Sequence, residues 1–205
     1  NNEFISSGRL DDLTMVYTMF GCANSNCGEN FVFFAFDNEE CGSRTNSGAA
    51  SLFGKIVLEK ICEACGLSHS EMLTTVSSSV IVSADMAHAV HPAFPGKNDS
   101  HVQIRINSGP VVKTSANQSY ASSAKGTAMF KNICLNAGIP FQEFVNHSDM
   151  PSGGTIGSIL AANFSANTVD IGLPMLSMHS VRELCGSKDI STSCEFFKKY
   201  IEMEV

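Results

Sequence analysis

The sequence has no tryptophan, and only 3 tyrosines and 6 prolines in 205 residues. Charged residues are also scarce at 16%, with 13 Lys and Arg against 20 Asp and Glu. The resulting formal charge of −7 excludes a surface built to track a phosphate backbone, because such binding needs clustered Lys and Arg to displace counterions. Only Lys198 and Lys199 stand side by side as a basic pair. No apolar run approaches the roughly 20 residues that span a bilayer. The start, Asn1-Asn2-Glu3-Phe4, lacks the basic and apolar regions of a signal peptide. A soluble chain is therefore expected, with neither nucleic acid nor membrane as a partner. The initiator Met is missing too, which reads as a segment of a longer polypeptide.

What is present is ordinary globular material. A hydrophobic content of 43% over this length is enough to bury one sizeable core, so one domain is expected. The 8 cysteines sit mostly inside apolar segments of a chain too long to depend on disulfides, which predicts reduced, buried thiols. Cys62 and Cys65 have C-x-x-C spacing, but no second Cys or His pair follows at finger spacing, so a structural role is expected.

Apolar patterning predicts alternating strands and helices. Phe31 to Phe36 is a continuous aromatic-rich run of the kind found in a strand buried on both faces. Helical spacing follows over Ala49 to Ala64, with Gly66 as a stop, and Ser68 with Glu71 forms a capping-box pattern. A strand is predicted over Ser79 to Ala84, a helix over Tyr120 to Ala137 ending at Gly138, and a strand over Phe141 to Val145. A helix over Ser158 to Phe164, a strand over Thr168 to Gly172 and a helix over Ser193 to Glu202 complete the pattern. This alternation predicts an α/β fold: a mixed, largely parallel sheet with helices on both faces and functional residues at the carboxyl ends of strands.

Three carboxylate groups end or flank the apolar runs: Asp11-Asp12, Asp37 with Glu39-Glu40, and Asp85. A charge at the tip of a buried strand is costly unless paired, and few cationic side chains are available, so a metal cation is a reasonable partner. Carboxylates with an imidazole suit zinc, and His179 follows a strand. Solvated loop acids and a hydrogen-bonded core histidine are the structural alternative. The adjacent pair Glu39 and Glu40 fits hydrolysis, because one can ligate while the other takes the proton of the attacking water.

Four segments, in this order, resemble the signature segments of the aspartyl aminopeptidases, dinuclear zinc exopeptidases. They are Gly8 to Leu13, Phe36 to Ser43, Ser83 to Pro92 and Leu176 to Glu183. The resemblance covers nearly the whole chain and implies an incomplete zinc-exopeptidase-like catalytic domain. Residues 1–205 would be its C-terminal portion, without the upstream catalytic segment and the oligomerisation domain. It implies two zinc ions bridged by Asp11, with Glu40 and His179 completing one and Asp85 binding the other. Glu39 would be the general base, Lys113 would meet the acidic side chain of the substrate, His88 would lie near the substrate, and His91 would be structural. The implied activity is removal of N-terminal Asp or Glu from peptides by a cytoplasmic homo-oligomer. An inactive subunit of a peptidase particle and a metallo-aminopeptidase of other specificity are the alternatives.

The sequence also departs from the family pattern. The second ion's upstream His is absent, as is the histidine that the oligomerisation domain lends to a neighbouring subunit. Asp12 replaces Asn, Ala93 stands where Asn is expected, Ser119 replaces an Arg, and Ser152-Gly153-Gly154-Thr155 replaces a Cys-Gly-Ser-Thr-like run. The change at Ser119 is the one expected to alter the substrate pocket.

Overall fold

The computed structural model describes residues 2–23 and 30–203. The longest strand, β5 (Asn167–Leu176), is the axis of the sheet. Along one edge it pairs in parallel with β2 (Val80–His88) over nine residues. Along the other it pairs antiparallel first with β3 (Val111–Lys113) and then with β6 (Glu183–Gly186). Strand β4 (Gln142–Phe144) adds in parallel to β3, and β1 (Phe4–Ser7) adds antiparallel to β6. The sheet is thus mixed, as expected, but three of its five pairings are antiparallel, so "largely parallel" describes only the long β2–β5 contact and the short β3–β4 one. The antiparallel pairings come from the short strands β1, β3 and β6, whose few residues give no periodic signal.

Side chains alternate across β5, and this alternation defines two layers. Val169, Ile171, Leu173 and Met175 point into one core with Met15, Phe130 and Phe196. Those three lie on α1 (Leu10–Phe20), α4 (Ala124–Ala137) and α6 (Ser187–Ile201). The opposite face carries Asp170 and Gly172 and meets α5 (Ile156–Phe164). Helices therefore cover both faces. Helix α4 is fixed at both ends: Ser123 Oγ accepts the N–H of Gly126, and Gly138 takes a φ of 68° that favours glycine. At Gly126 an added Cβ would lie 2.6 Å from the carbonyl oxygen of Thr168, so close seating of α4 on β5 requires glycine. The capping box of α3 (His69–Ser78) forms as expected, with Ser68 and Glu71 bonding reciprocally.

Several expectations need correction. Phe31 to Phe36 is not a strand, and its residues are exposed or half-buried. A strand needs a neighbour to take up its N–H and C=O groups, and no described strand pairs with this run. Strand β2 continues past Ala84 to His88, placing Asp85 within the strand rather than at its tip. Helix α2 (Phe53–Ala64) and helix α4 begin four residues later than predicted, whereas α6 begins six residues earlier, at Ser187. Of the thiols, Cys22, Cys134 and Cys185 are buried, but Cys41 and Cys65 are exposed; all described cysteines are free. Cys27 lies outside the described residues. Cys62 lies in the last turn of α2 and Cys65 caps it, with no metal cluster around them among the described residues.

Candidate metal centre

The cleft lies where the head of α1, the turn Glu39–Cys41, β2, β3 and the loop after β5 converge. Asp11 sits at the start of α1 with a non-helical backbone (φ −83°, ψ 113°). The Glu39–Cys41 turn is flanked by Asn38 and Gly42, both in the left-handed region, which lets it reverse sharply and present two adjacent acids. His179 has a φ of 65° and projects from the loop that joins β5 to β6. Its Nε2 lies 3.1 Å from Asp11 Oδ2 and 2.9 Å from Glu40 Oε2. Ligand atoms of Asp11, Glu40 and His179 all fall within 4.8 Å of one another, a separation suited to one ion.

The cleft holds more negative charge than its own cations balance. Asp11, Glu39, Glu40 and Asp85 line it together with Lys113, His88 and His179. Lys113 is 2% exposed, and its ammonium donates to Asp85 Oδ2 at 3.0 Å and to the carbonyl of Met86 at 2.8 Å. Burial opposes the charge on Asp85, but the neighbouring Lys113 outweighs it and holds that carboxyl below its ordinary value. Asp11 has no such partner. Burial, and then the facing charge of Asp85, push it up to about 9. Asp12 rises to about 8 by burial and the same charge, and Glu39 also rises, chiefly through burial. Buried Oδ1 atoms of both Asp11 and Asp12 accept no hydrogen bond among the described residues. Orphaned carboxylate oxygens beside the His179 imidazole are the donor set of a divalent cation, and two carboxylates with one histidine suit zinc.

The sequence model described as Aminopeptidase I zinc metalloprotease (M18) matches residues 1–201. The chain belongs to the M18 family. Probable M18 family aminopeptidase 2 of Clostridium acetobutylicum is 46% identical over 191 residues, which cover 92% of this chain and 44% of that protein. Probable aspartyl aminopeptidase of Ricinus communis is 39% identical, with 98% of this chain and 43% of that protein covered. Among solved structures, the S. cerevesiae mApe1 dodecamer superposes with a TM-score of 0.77 at 29% identity, covering 97% of this chain and 45% of that one. The M18 chain described here thus spans a little under half the length of these relatives. The resemblance seen in the four motif segments holds at the level of the family.

The seven residues offered as ligands, base or substrate contacts, Asp11, Glu39, Glu40, Asp85, His88, Lys113 and His179, come to this one cleft of the M18 chain. Asp85 stands apart from the three-residue cluster and meets Asp11 side chain to side chain. His91 instead turns to its own loop, where its Nδ1 accepts the N–H of Ala93. The sequence gives no cleft role to Met86, Ala87, Tyr120, Phe144 or Met178, nor to Gly153 and Gly154, which complete the walls. Sequence reasoning also missed Asp170. That buried carboxylate accepts the N–H of Ala121 and the hydroxyl of Thr155 at 2.6 Å, fastening both wall segments to β5. Ser119 bonds Asn117 instead of lining the cleft, and stands behind it as the neighbour of Tyr120, with its carbonyl facing Gly154. Glu183, the first residue of β6, accepts the backbone N–H of Asp11 at 3.0 Å and that of His179 at 2.7 Å. It lies inside a quoted motif, but nothing in the sequence shows which backbone groups it meets.

Proposed function

We propose that the intact protein is a zinc aminopeptidase that releases N-terminal Asp or Glu from peptides. The observation that carries this reading is the convergence of Asp11, Glu40 and His179 beside Glu39 and Lys113, in a chain of the M18 family. Asp11, Glu40 and His179 would hold one zinc ion. Asp11 and Asp85 would hold a second, completed by a ligand from elsewhere in the intact protein. Bound zinc supplies Lewis-acid polarisation of the scissile carbonyl and makes a water nucleophilic near neutral pH. Glu39 accepts the proton of the attacking water at its carboxylate and passes it to the leaving amine. Lys113, with two N–H groups held by Asp85 and Met86, keeps one for the substrate's carboxylate, and His88 borders the bound residue.

The name of the Ricinus communis relative supports the acidic preference. The Lys113–Asp85 ion pair favours a second reading, an aminopeptidase of other specificity, since part of that lysine's charge is already matched. Equal turnover of Asp-terminated and Leu-terminated substrates would decide for the second reading. An inactive particle subunit is the less economical alternative, because a scaffold has no chemical use for adjacent Glu39 and Glu40. No helix of the described residues is long and apolar enough to cross a membrane. We infer a cytoplasmic homo-oligomer, by analogy with the mApe1 dodecamer.

Paired substitutions test the roles. Glu39→Gln should retain zinc and lose at least about a hundredfold in turnover, because an amide cannot accept the proton. Glu40→Gln should lower zinc content instead. Metal analysis with the opposite outcome would exchange the two assignments. The 205-residue chain alone should bind at most one zinc tightly, since Asp11 and Asp85 without an imidazole make a poor second site. Two stoichiometric ions in that chain would overturn this ligand count.

A further inference from the structure

We infer that Glu183 is a positioning residue that fixes the separation of two candidate zinc ligands, Asp11 and His179. The inference rests on the zinc reading given above. Glu183 is 2% exposed, yet it has no cationic partner within ion-pair distance among the described residues. Both of its oxygens are instead committed to backbone N–H groups, Oε2 to Asp11 and Oε1 to His179. Those residues lie near opposite ends of the chain. One heads α1 and the other follows β5, and no strand pairing joins the two positions directly.

The strand pairings place Glu183 where it can reach both. Ser7 is opposite Glu183 in the β1–β6 pair, so the chain leaves β1 beside it and reaches Asp11 four residues later. In the β5–β6 pair Leu176 is opposite Leu184, so the loop bearing His179 closes within a few residues of Glu183. The two oxygens of one carboxylate have a fixed spacing, and so the two N–H groups are held relative to each other. The contact acts on the backbone from which the ligands project, not on the ligating atoms. It also holds His179 at a φ of 65°, a region that non-glycine residues rarely adopt unless their surroundings impose it. Removing a partner that orients a ligand typically costs 10- to 100-fold in metal affinity.

A purely structural role would also explain a buried carboxylate that satisfies two N–H groups, so the test must separate stability from metal binding. The zinc dissociation constant of the intact protein would be measured by chelator competition, and the visible spectrum would be recorded after cobalt substitution. Wild type would be compared with Glu183→Gln, Glu183→Asp and Asp189→Asn. Asp189 is the control: equally buried, it accepts the N–H groups of Asn107 and Gly109 away from the cleft. Glu183→Gln should weaken zinc binding about 10- to 100-fold and alter the cobalt spectrum, because the amide turns its NH2 toward one of the two donors. Glu183→Asp, which keeps the charge but has a shorter reach, should fall between, and it carries the test if the Gln variant does not fold. Asp189→Asn should lower the unfolding midpoint with zinc affinity and spectrum unchanged. Zinc binding by the Glu183 variants within twofold of wild type, or an equal loss in Asp189→Asn, would overturn the inference. A wild type whose zinc affinity is indifferent to Glu40→Gln and His179→Ala would remove the zinc reading itself, a result distinct from either of those.

Discussion

Two regions build the cleft, and they are held in place to very different degrees. Around β5 the chain is closed: Val169, Ile171, Leu173 and Met175 are fully buried, and Asp85, Lys113, Asp170 and Glu183 are each held by hydrogen bonds to other elements. The stretch from Asn30 to Ala64 is open. Phe31 and Val32 are exposed, as are Phe53, Ile56 and Ile61 on α2, and Leu52 before it is 67% exposed. Glu39 and Glu40 stand on this second region, which meets the first through Glu40 against His179, Phe33 against Phe20, and Asn163, whose side-chain amide donates to the carbonyl of Ala49. The proposed base and one proposed ligand therefore rest on a part of the described fold that leaves several large apolar side chains exposed.

This contrast predicts a ranking of stability losses. Phe196→Ala, which empties a site touching Phe130, Phe197 and Tyr200, should cost about 3–5 kcal/mol in urea unfolding. Phe31→Ala should cost under about 1 kcal/mol in the same chain. Equal losses would mean that the aromatic run is as well packed as the β5 core, and the comparison would fail.

Titration sharpens the same point. Burial pushes Asp189 up to about 6, despite the backbone N–H groups that oppose the rise. A carboxyl raised above its unfolded value stabilises the fold fully below that unfolded value, and its contribution is lost as pH rises through the folded one. The stability of wild type relative to Asp189→Asn should therefore fall by up to about 3 kcal/mol between pH 4 and pH 6 and then level off. Unfolding curves at stepped pH check this, and a difference that grows with pH across that window would contradict it. A smaller effect than at Phe196 is expected at the N-cap of α5. Thr155→Val removes both the cap to Gly157 and the bond to Asp170, for about 1–2 kcal/mol, whereas Thr155→Ser should recover most of it. If serine recovered nothing, the methyl group and not the hydroxyl would be what holds that wall.

Much of the site was legible because its residues sit in compact motifs with chemically telling neighbours, as in Asp37-Asn38-Glu39-Glu40. Helices with explicit stops, such as α4 before Gly138, were legible for the same local reason. The misses share another cause. The aromatic run from Phe31 carries a strand's composition, but pairing is a property of the neighbour and not of the run. Glu183 and Asp170 look like ordinary acids until the fold brings Asp11 and His179 to one, and Ala121 and Thr155 to the other. Strands β1, β3 and β6 are three or four residues long, too short for any periodicity to show.

Strand β5 sends alternate residues to opposite worlds: Val169, Ile171, Leu173 and Met175 to the helices, Asp170 to the wall of the cleft. One inserted or deleted residue anywhere between Val169 and Met175 would exchange those destinations beyond the change, bringing a carboxylate into the oily layer or swinging methyl groups toward the cleft. The stretch from Asn30 to Phe36, which pairs with nothing described, has no such reading frame. Length variation over evolutionary time should therefore collect there and be purged from β5, even though neither segment contributes a ligand of its own.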